Sequence, residues 1–206
     1  MSTPAAFFSE ALDELGLEPL PDQAMALLAR LDAPPRLIAH LALVHDAAVQ
    51  LTVFVVRTWP GMKFDASAAL LGAALHDIGK IAIPQELSEA GRKHEEAGCR
   101  LLLGAGIEPR IARFARTHAA DVALAEGGFE DWLVALADTC WKGKRDPALE
   151  DRLAAVIAEA TGSSAWDVWL RLDRKIERIA ASADDRLMWQ FRFPETRSSQ
   201  PLPARR

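Results

Sequence analysis

Apolar residues along this chain recur every three to four positions, in stretches punctuated by Gly and Pro, and they almost nowhere alternate singly. That period is helical. Leu37, Leu41, Val44, Ala48, Leu51 and Val55 form one stripe, which predicts a long helix from Pro35 to about Arg57, stopped by Trp59-Pro60-Gly61. Two shorter amphipathic helices are expected before it, Pro4 to Leu15 and Pro21 to Leu31, with Gly16 and Pro34-Pro35 as breaks. After it, Asp65 is a suitable N-cap for a helix reaching Asp77, and Gly79 is expected to end that helix in a left-handed conformation. Ser88 is placed to cap a helix to about Leu103, and Pro109 to open the next. Phe129 to Lys142 is apolar nearly all round, which predicts burial on most sides. Leu149 to Ala160 and Trp166 to about Leu187 complete the set, the last with Trp169, Leu172, Ile176, Ile179 and Ala183 as its stripe. Residues 193–206, rich in Pro, Ser and Arg, read as a disordered tail.

The expected fold is therefore all-α, and 206 residues with half of them hydrophobic suit a single domain over 1–192. A net charge of -5 argues against general nucleic-acid binding, which needs a broadly basic surface. Cys99 and Cys140 have no C-x-x-C spacing and read as reduced, buried thiols. No uninterrupted apolar stretch approaches the roughly 20 residues of a membrane span, and no basic-then-apolar leader opens the chain, so no membrane association and a cytoplasmic location are expected.

Chemistry enters with the histidines, of which there are five. His76-Asp77 emerges from the apolar run Leu70, Leu71, Ala74, Leu75, where a bare carboxylate is costly unless a cation matches it. His94 shares a helical face with Ala90, Ala97 and Leu101; His118 shares one with Ile111, Phe114 and Ala115, leaving Arg110, Arg113 and Arg116 to a solvated side. His40 and His45 both flank the long helix's stripe, His40 nearer its centre. Asp46 points away from that stripe, so His45-Asp46 is expected to be a solvated pair that merely repeats the dipeptide. Asp138 is the only charged residue between Trp132 and Trp141. A buried salt bridge explains such an Asp taken alone. Several inward-facing imidazoles and carboxylates on separate helices, taken together, call for a positive charge between them, and a divalent transition metal supplies it.

Around these donors lie weaker signals. Lys80 follows the His-Asp segment directly and is a candidate contact to a phosphate. Lys142, Lys144 and Arg145 form a basic cluster that suits either a phosphate or the negative end of a helix. Glu95 is placed to orient a water or a histidine, or to face solvent. Trp141 and Trp166 suit base stacking, although aromatics at helical spacing are more often core.

The segment Leu75-His76-Asp77-Ile78-Gly79-Lys80, preceded by His40 and followed by His94-Glu95-Glu96-Ala97-Gly98, His118 and Leu136-Ala137-Asp138, resembles the HD-domain metal-dependent phosphohydrolase superfamily in its HDIG form. The resemblance spans about 35–146. It implies an HD-type helical bundle with additional N- and C-terminal helices, the latter over 149–189. It further implies that His40, His76, Asp77 and Asp138 bind one metal and that Asp77 bridges to a second held by His94 and His118, with one or two Fe, Mn, Co, Ni or Zn ions as cofactors. The expected activity is hydrolysis of a phosphomonoester or phosphoanhydride in a nucleotide or related small phosphorylated metabolite through a metal-activated water, with Asp77 and Lys80 as catalytic groups. Such a set is close to that of the small HD hydrolases acting on nucleotides, the symmetrical diadenosine tetraphosphate hydrolases among them. Two other readings stay open: a non-catalytic regulatory or protein-interaction module, and a cyclic-dinucleotide phosphodiesterase related to the HD-GYP group. The second shares the stretch from Ile78 to Leu87 but lacks the Gly-Tyr-Pro motif, any Tyr, and a second ligand at Ala119. A homodimer is compatible with either.

Overall fold

The computed structural model describes residues 12–196. Among them the ordered elements are helices: α1 (Asp22–Arg30), α2 (Pro35–Thr58), α3 (Ala66–Leu75), one-turn 3-10 helices at Ile78–Ile81 and Pro84–Leu87, α4 (Lys93–Gly104), α5 (Pro109–Ala112), α6 (Phe114–Thr117), α7 (Ala120–Glu126), α8 (Phe129–Cys140), α9 (Pro147–Thr161), α10 (Ala165–Ala180) and α11 (Ala183–Phe191). The all-α expectation holds. Local chemistry sets several ends: Pro35 occupies the first turn of α2, Asp65 accepts a hydrogen bond from Ala68 N at 2.9 Å to cap α3, and Asp146 accepts one from Leu149 N at 3.1 Å to cap α9. Gly162, with φ +67°, ends α9 in the left-handed conformation.

The centre of the domain is α2, packed against α3 and α8 on one side and against α10 and α11 on the other. Every residue from 41 to 48 is buried, although the apolar pattern marks only one stripe. This corrects the expectation for His45-Asp46, which is not solvated. His45 is 4 % and Asp46 3 % exposed. The face that periodicity leaves to water is covered by the approach to α1 and by α11: Asp46 accepts hydrogen bonds from Arg186 Nη2 at 2.6 Å, Gln50 Nε2 at 2.9 Å and Glu18 N at 3.2 Å, and His45 Nδ1 lies 3.1 Å from Leu70 O. By length and composition α2 is apolar enough to cross a membrane, but 67 % of that stretch is buried inside the fold, so its apolar surface is already used in the core.

The helix expected to start at Pro109 and carry His118 breaks at Arg113 and ends at Thr117, and three further boundaries differ from the sequence pattern. The predicted helix from Trp166 to Leu187 is two helices, because the chain turns at Ala181-Ser182, where Ser182 Oγ donates back to Ile179 O at 3.0 Å; the turn is what carries Arg186 to Asp46. Segment 193–196, expected as the start of a tail, is fastened down: Phe193 is 5 % exposed, its carbonyl accepts from Arg36 Nε at 2.7 Å, and Pro194 O accepts from Arg36 N at 3.0 Å. Residues 197–206 lie outside the described residues. Of the helix expected over Pro4 to Leu15, residues 12–15 are helical and the remainder also lies outside the described part. The third boundary, at the start of α4, belongs to the site.

Candidate metal centre

Six side chains that the sequence pattern singles out converge from five parts of the chain. His40 projects from α2, His76 follows α3, Asp77 opens the first 3-10 helix, His94 is in the first turn of α4, His118 follows α6, and Asp138 is in the last turn of α8. Asp77 divides its carboxylate between two groups. Its Oδ2 lies 3.1 Å from His40 Nε2 and 3.6 Å from His76 Nε2, and Asp138 Oδ1 stands 3.5 and 3.9 Å from the same two nitrogens. Its Oδ1 lies 3.0 Å from His94 Nε2 and 3.4 Å from His118 Nε2. Within each pair the imidazoles face one another, His40 Nε2 to His76 Nε2 at 3.3 Å and His94 Nε2 to His118 Nε2 at 3.4 Å.

The far side of three rings fixes which nitrogen faces inward. His76 Nδ1 is 2.9 Å from Ala73 O, His118 Nδ1 is 3.1 Å from Ala115 O, and His94 Nδ1 is 2.6 Å from Glu86 Oε2. Each acceptor requires a proton on Nδ1, which leaves a lone pair on the Nε2 that points to the centre. Lone pairs that meet lone pairs need a cation. Asp77 Oδ1 gives the same indication: it is buried and makes no hydrogen bond of acceptable geometry, despite the two nitrogens near it. Neutral imidazole and carboxylate oxygen are donors suited to divalent transition metals. Three overlapping groups have their donor atoms within 4.8 Å of one another: His40, His76 and Asp138; His76, Asp77 and His118; and His94, Glu95 and His118.

The electrostatics agree at His76, His118, Asp77 and Asp138, while His94 departs from the pattern. Burial pushes His118 down to about 4, with the attraction of Asp77 only partly opposing it, and burial likewise lowers His76, so both rings are neutral at pH 7. Burial disfavours the charged form of Asp77, but His76, Lys80 and the contacts from His40 and His94 outweigh it and hold the carboxyl well below its ordinary value. Asp138 is held low in the same way, with Lys142 and His40 overcoming burial. His94 is displaced upward: burial opposes its charge, but the carboxylates of Asp77 and Glu86 on either side prevail.

Glycine packing brings α4 to this centre. The sequence pattern expects Gly79 to end a helix at positive φ, but its φ is not positive; the residue is needed because a Cβ there would lie 1.9 Å from His94 O and 2.5 Å from Gly98 N. Gly98 answers from the other side, where a Cβ would stand 3.1 Å from Gly79 N. The glycines of the two motifs thus seat the first 3-10 helix directly on α4. Ser88 does not cap α4, which starts five residues later, and Arg92 offers it no side-chain cap. Glu86 does so from the preceding 3-10 helix, accepting from Lys93 N at 3.1 Å and His94 N at 2.9 Å while also holding His94 Nδ1. Sequence reasoning missed this residue and weighed an orienting role, beside a solvated one, for Glu95 alone. The available signal was a helix start, Arg92-Lys93-His94, with no capping residue of its own. His118 is steadied from behind by another unforeseen contact: Arg113, expected in solvent, forms a two-pronged ion pair with buried Asp131, which also accepts from Thr117 Oγ1 at 2.6 Å.

The candidate cations separate clearly. Lys80 Nζ is 2.6 Å from Asp77 Oδ2, and Lys142 Nζ is 3.2 Å from Asp138 Oδ2, so both stand at the centre. Arg145 is committed elsewhere, to Glu150 and Asp173 at 2.5 Å each, and is not a free phosphate donor. Lys144 is exposed. Trp141 is a core residue, 2 % exposed, whose Nε1 donates to Asp138 Oδ1 at 3.3 Å; Trp166 is exposed and stacked on Trp169.

An all-helical domain whose buried His and Asp side chains can hold a divalent metal is the class that the fold and this centre define. The family model for the HD domain matches residues 48–160, more than half of the chain, and the protein belongs to that family. The matched stretch carries His76, Asp77, His94, His118 and Asp138; His40 precedes it and joins the centre through the continuous helix α2. No curated protein and no solved structure matches the chain.

Proposed function

We propose that this protein is a metal-dependent phosphohydrolase that cleaves a phosphomonoester or phosphoanhydride bond in a nucleotide or a related small phosphorylated metabolite. The observation that carries the reading is the split carboxylate of Asp77, with one oxygen turned to His40 and His76 and the other to His94 and His118. His40, His76, Asp77 and Asp138 would hold one divalent ion, and Asp77, His94 and His118 a second. Ions bound there would lower the pKa of a coordinated water toward neutrality and neutralise charge on a phosphate. The chain's own groups do the rest. Fixed Nδ1–H donors keep the imidazoles aimed without reorganisation, which is where electrostatic preorganisation has its effect. Lys80 and Lys142, each now paired with a donor carboxylate, are placed to turn to phosphate oxygens once cations share that negative charge. None of the six donors is missing, which favours turnover over a regulatory role.

The test is metal analysis of protein purified without added metal, coupled to hydrolysis of an aryl phosphate and a nucleotide panel under Mn, Fe, Co and Ni. Bound metal with turnover that disappears in His76→Ala and Asp77→Ala is the expected result. Stoichiometric metal without turnover of any phosphate ester would leave the centre standing and remove the enzyme.

A further inference from the structure

On the surface between α2 and α10 lies a second feature that the metal centre does not use. Arg171, Arg174, Lys175 and Arg178 fall at i, i+3, i+4 and i+7 and so share one face of α10, where like charges at these spacings repel one another. They line a groove of about 330 Å³, half open to solvent, whose opposite wall is α2, contributing Phe54. Leu170 adds apolar surface, and exposed Asp167 is the single carboxylate in the lining. Elsewhere in the molecule the less exposed arginines are matched, Arg36 by Glu195, Arg113 by Asp131 and Arg186 by Asp46. Among the described residues no ion pair or hydrogen bond neutralises Arg171, Arg174 or Arg178. Lys175 donates to neutral Gln50 Oε1 at 2.9 Å, and burial, reinforced by Arg178 and opposed by Asp46, holds its ammonium below the ordinary value.

A concave site with an aromatic wall and a surplus of cations suits a ligand that joins several phosphate charges to a flat ring. Its volume is at the lower end of small-molecule clefts, about 300–1,000 Å³, so it fits a mononucleotide rather than a folded partner. Phe54 is fourteen residues beyond His40 on the same helix, which places the groove about 21 Å along α2 from the metal centre. We propose that this groove is a second binding site, for a nucleoside polyphosphate, separate from the metal centre. The guanidinium groups would grip the phosphates with paired N–H donors, and Phe54 would contact the base.

Calorimetric titration of the full chain, in chelator and free of divalent metal, tests this with two probes, tripolyphosphate and ATP. Binding of both is expected. The triple change Arg171→Gln, Arg174→Gln, Arg178→Gln should weaken both by at least about tenfold, the scale of losing several charge-assisted contacts. Phe54→Leu should weaken ATP and spare tripolyphosphate. Lys80→Gln and Lys142→Gln, at the metal centre, should change neither. All three arginines are exposed and unpaired and repel one another, so the triple variant should melt at or slightly above the wild type; the single changes R174Q and R178Q, each weakening both probes by a smaller factor, carry the same test if it does not. Absence of binding overturns the proposal, as does binding that survives loss of the arginines or falls with Lys80. A single-stranded oligonucleotide that displaces ATP from the same arginines at lower concentration would assign the groove to nucleic acid instead and equally overturn it.

Discussion

Replacing Gly79 with alanine isolates the contact that seats the HDIG segment on α4. The added Cβ would meet His94 O at 1.9 Å and Gly98 N at 2.5 Å, and both are backbone atoms that cannot rotate aside. To reach an ordinary separation of 3.4 Å the start of α4 must retreat by about 1.5 Å, in an interior packed at crystal density. Overpacking of this kind costs about 1–3 kcal/mol, and the reduced entropy of the unfolded chain returns about 0.4–1 kcal/mol. A 1.9 Å clash with backbone belongs at the upper end of that cost, so the net loss is about 2 kcal/mol, which in a domain of this size lowers Tm by about 4–8 °C. The same retreat moves the His94 imidazole away from Asp77 Oδ1. On the proposed assignment, Gly79→Ala therefore binds one divalent ion where the wild type binds two. Gly98→Ala is the milder comparison: its Cβ would stand 3.1 Å from Gly79 N and from Ala115 Cβ, so the seat must open by only a few tenths of an ångström, and about 1 kcal/mol of helix propensity offsets part of that cost, so its loss of Tm should be smaller than that of Gly79→Ala. Thermal melts and metal analysis of both variants decide it. If Gly79→Ala melts within about 1 °C of wild type with its metal intact, the account of this glycine is wrong.

Three other outcomes follow from the same contacts. Glu86→Gln keeps the shape of the α4 cap but loses the charge facing His94 Nδ1, so competition with a chromogenic chelator should show about 10–100-fold weaker binding of the ion at His94 and His118, and unaltered binding at His40 and His76. Equal weakening of both would mean that Glu86 merely supports the fold. Asp46→Ala strands Arg186, whose side chain is 7 % exposed, and should cost about 3–5 kcal/mol in urea unfolding, most of it recovered in Asp46→Ala with Arg186→Met; a loss no larger than that of a surface ion pair would refute the buried pairing. Burial holds His45 below its ordinary 6.5, with the Leu70 hydrogen bond and Asp46 only partly opposing. The unfolded chain therefore takes up a proton as pH falls through 6.5 while the folded chain resists, so this stabilisation is complete above 6.5 and is lost as pH falls toward the folded value. Wild type should lose stability from pH 7 to 5 more steeply than His45→Gln, by at most about 1.4 kcal/mol per pH unit, and parallel urea-stability curves would count against it.

Helix content and the inward turn of His94 and His118 were legible because a 3.6-residue period reports one buried face directly. The same rule failed for His45-Asp46. On α2 the stripe marks only the face toward α3 and α8, and nothing local to α2 records that Glu18 and Arg186, 28 and 140 residues away, cover the other. Gly79 was legible as a glycine but not for its reason, since a close approach of two backbones depends on where Gly98 comes to lie. Glu86 was hidden in the same way: a side chain that caps the next helix from a different element leaves no spacing rule behind.

What joins these cases is that each unread contact is a support for a donor that was read. Glu86 aims His94, the Arg113–Asp131–Thr117 network braces the turn before His118, and Gly79 with Gly98 brings α4 within reach of Asp77. As bare side chains the donors are matched only in part, Asp77 by Lys80 and Asp138 by Lys142. Asp77 Oδ1 is buried without a hydrogen bond and paired Nε2 atoms face each other, a state that costs folding energy. A chain selected only for stability would have no use for it, whereas a cation set between the two histidine pairs removes the cost at every one of these atoms at once. The centre is for that reason better explained by what it is built to hold than by any contact it now makes.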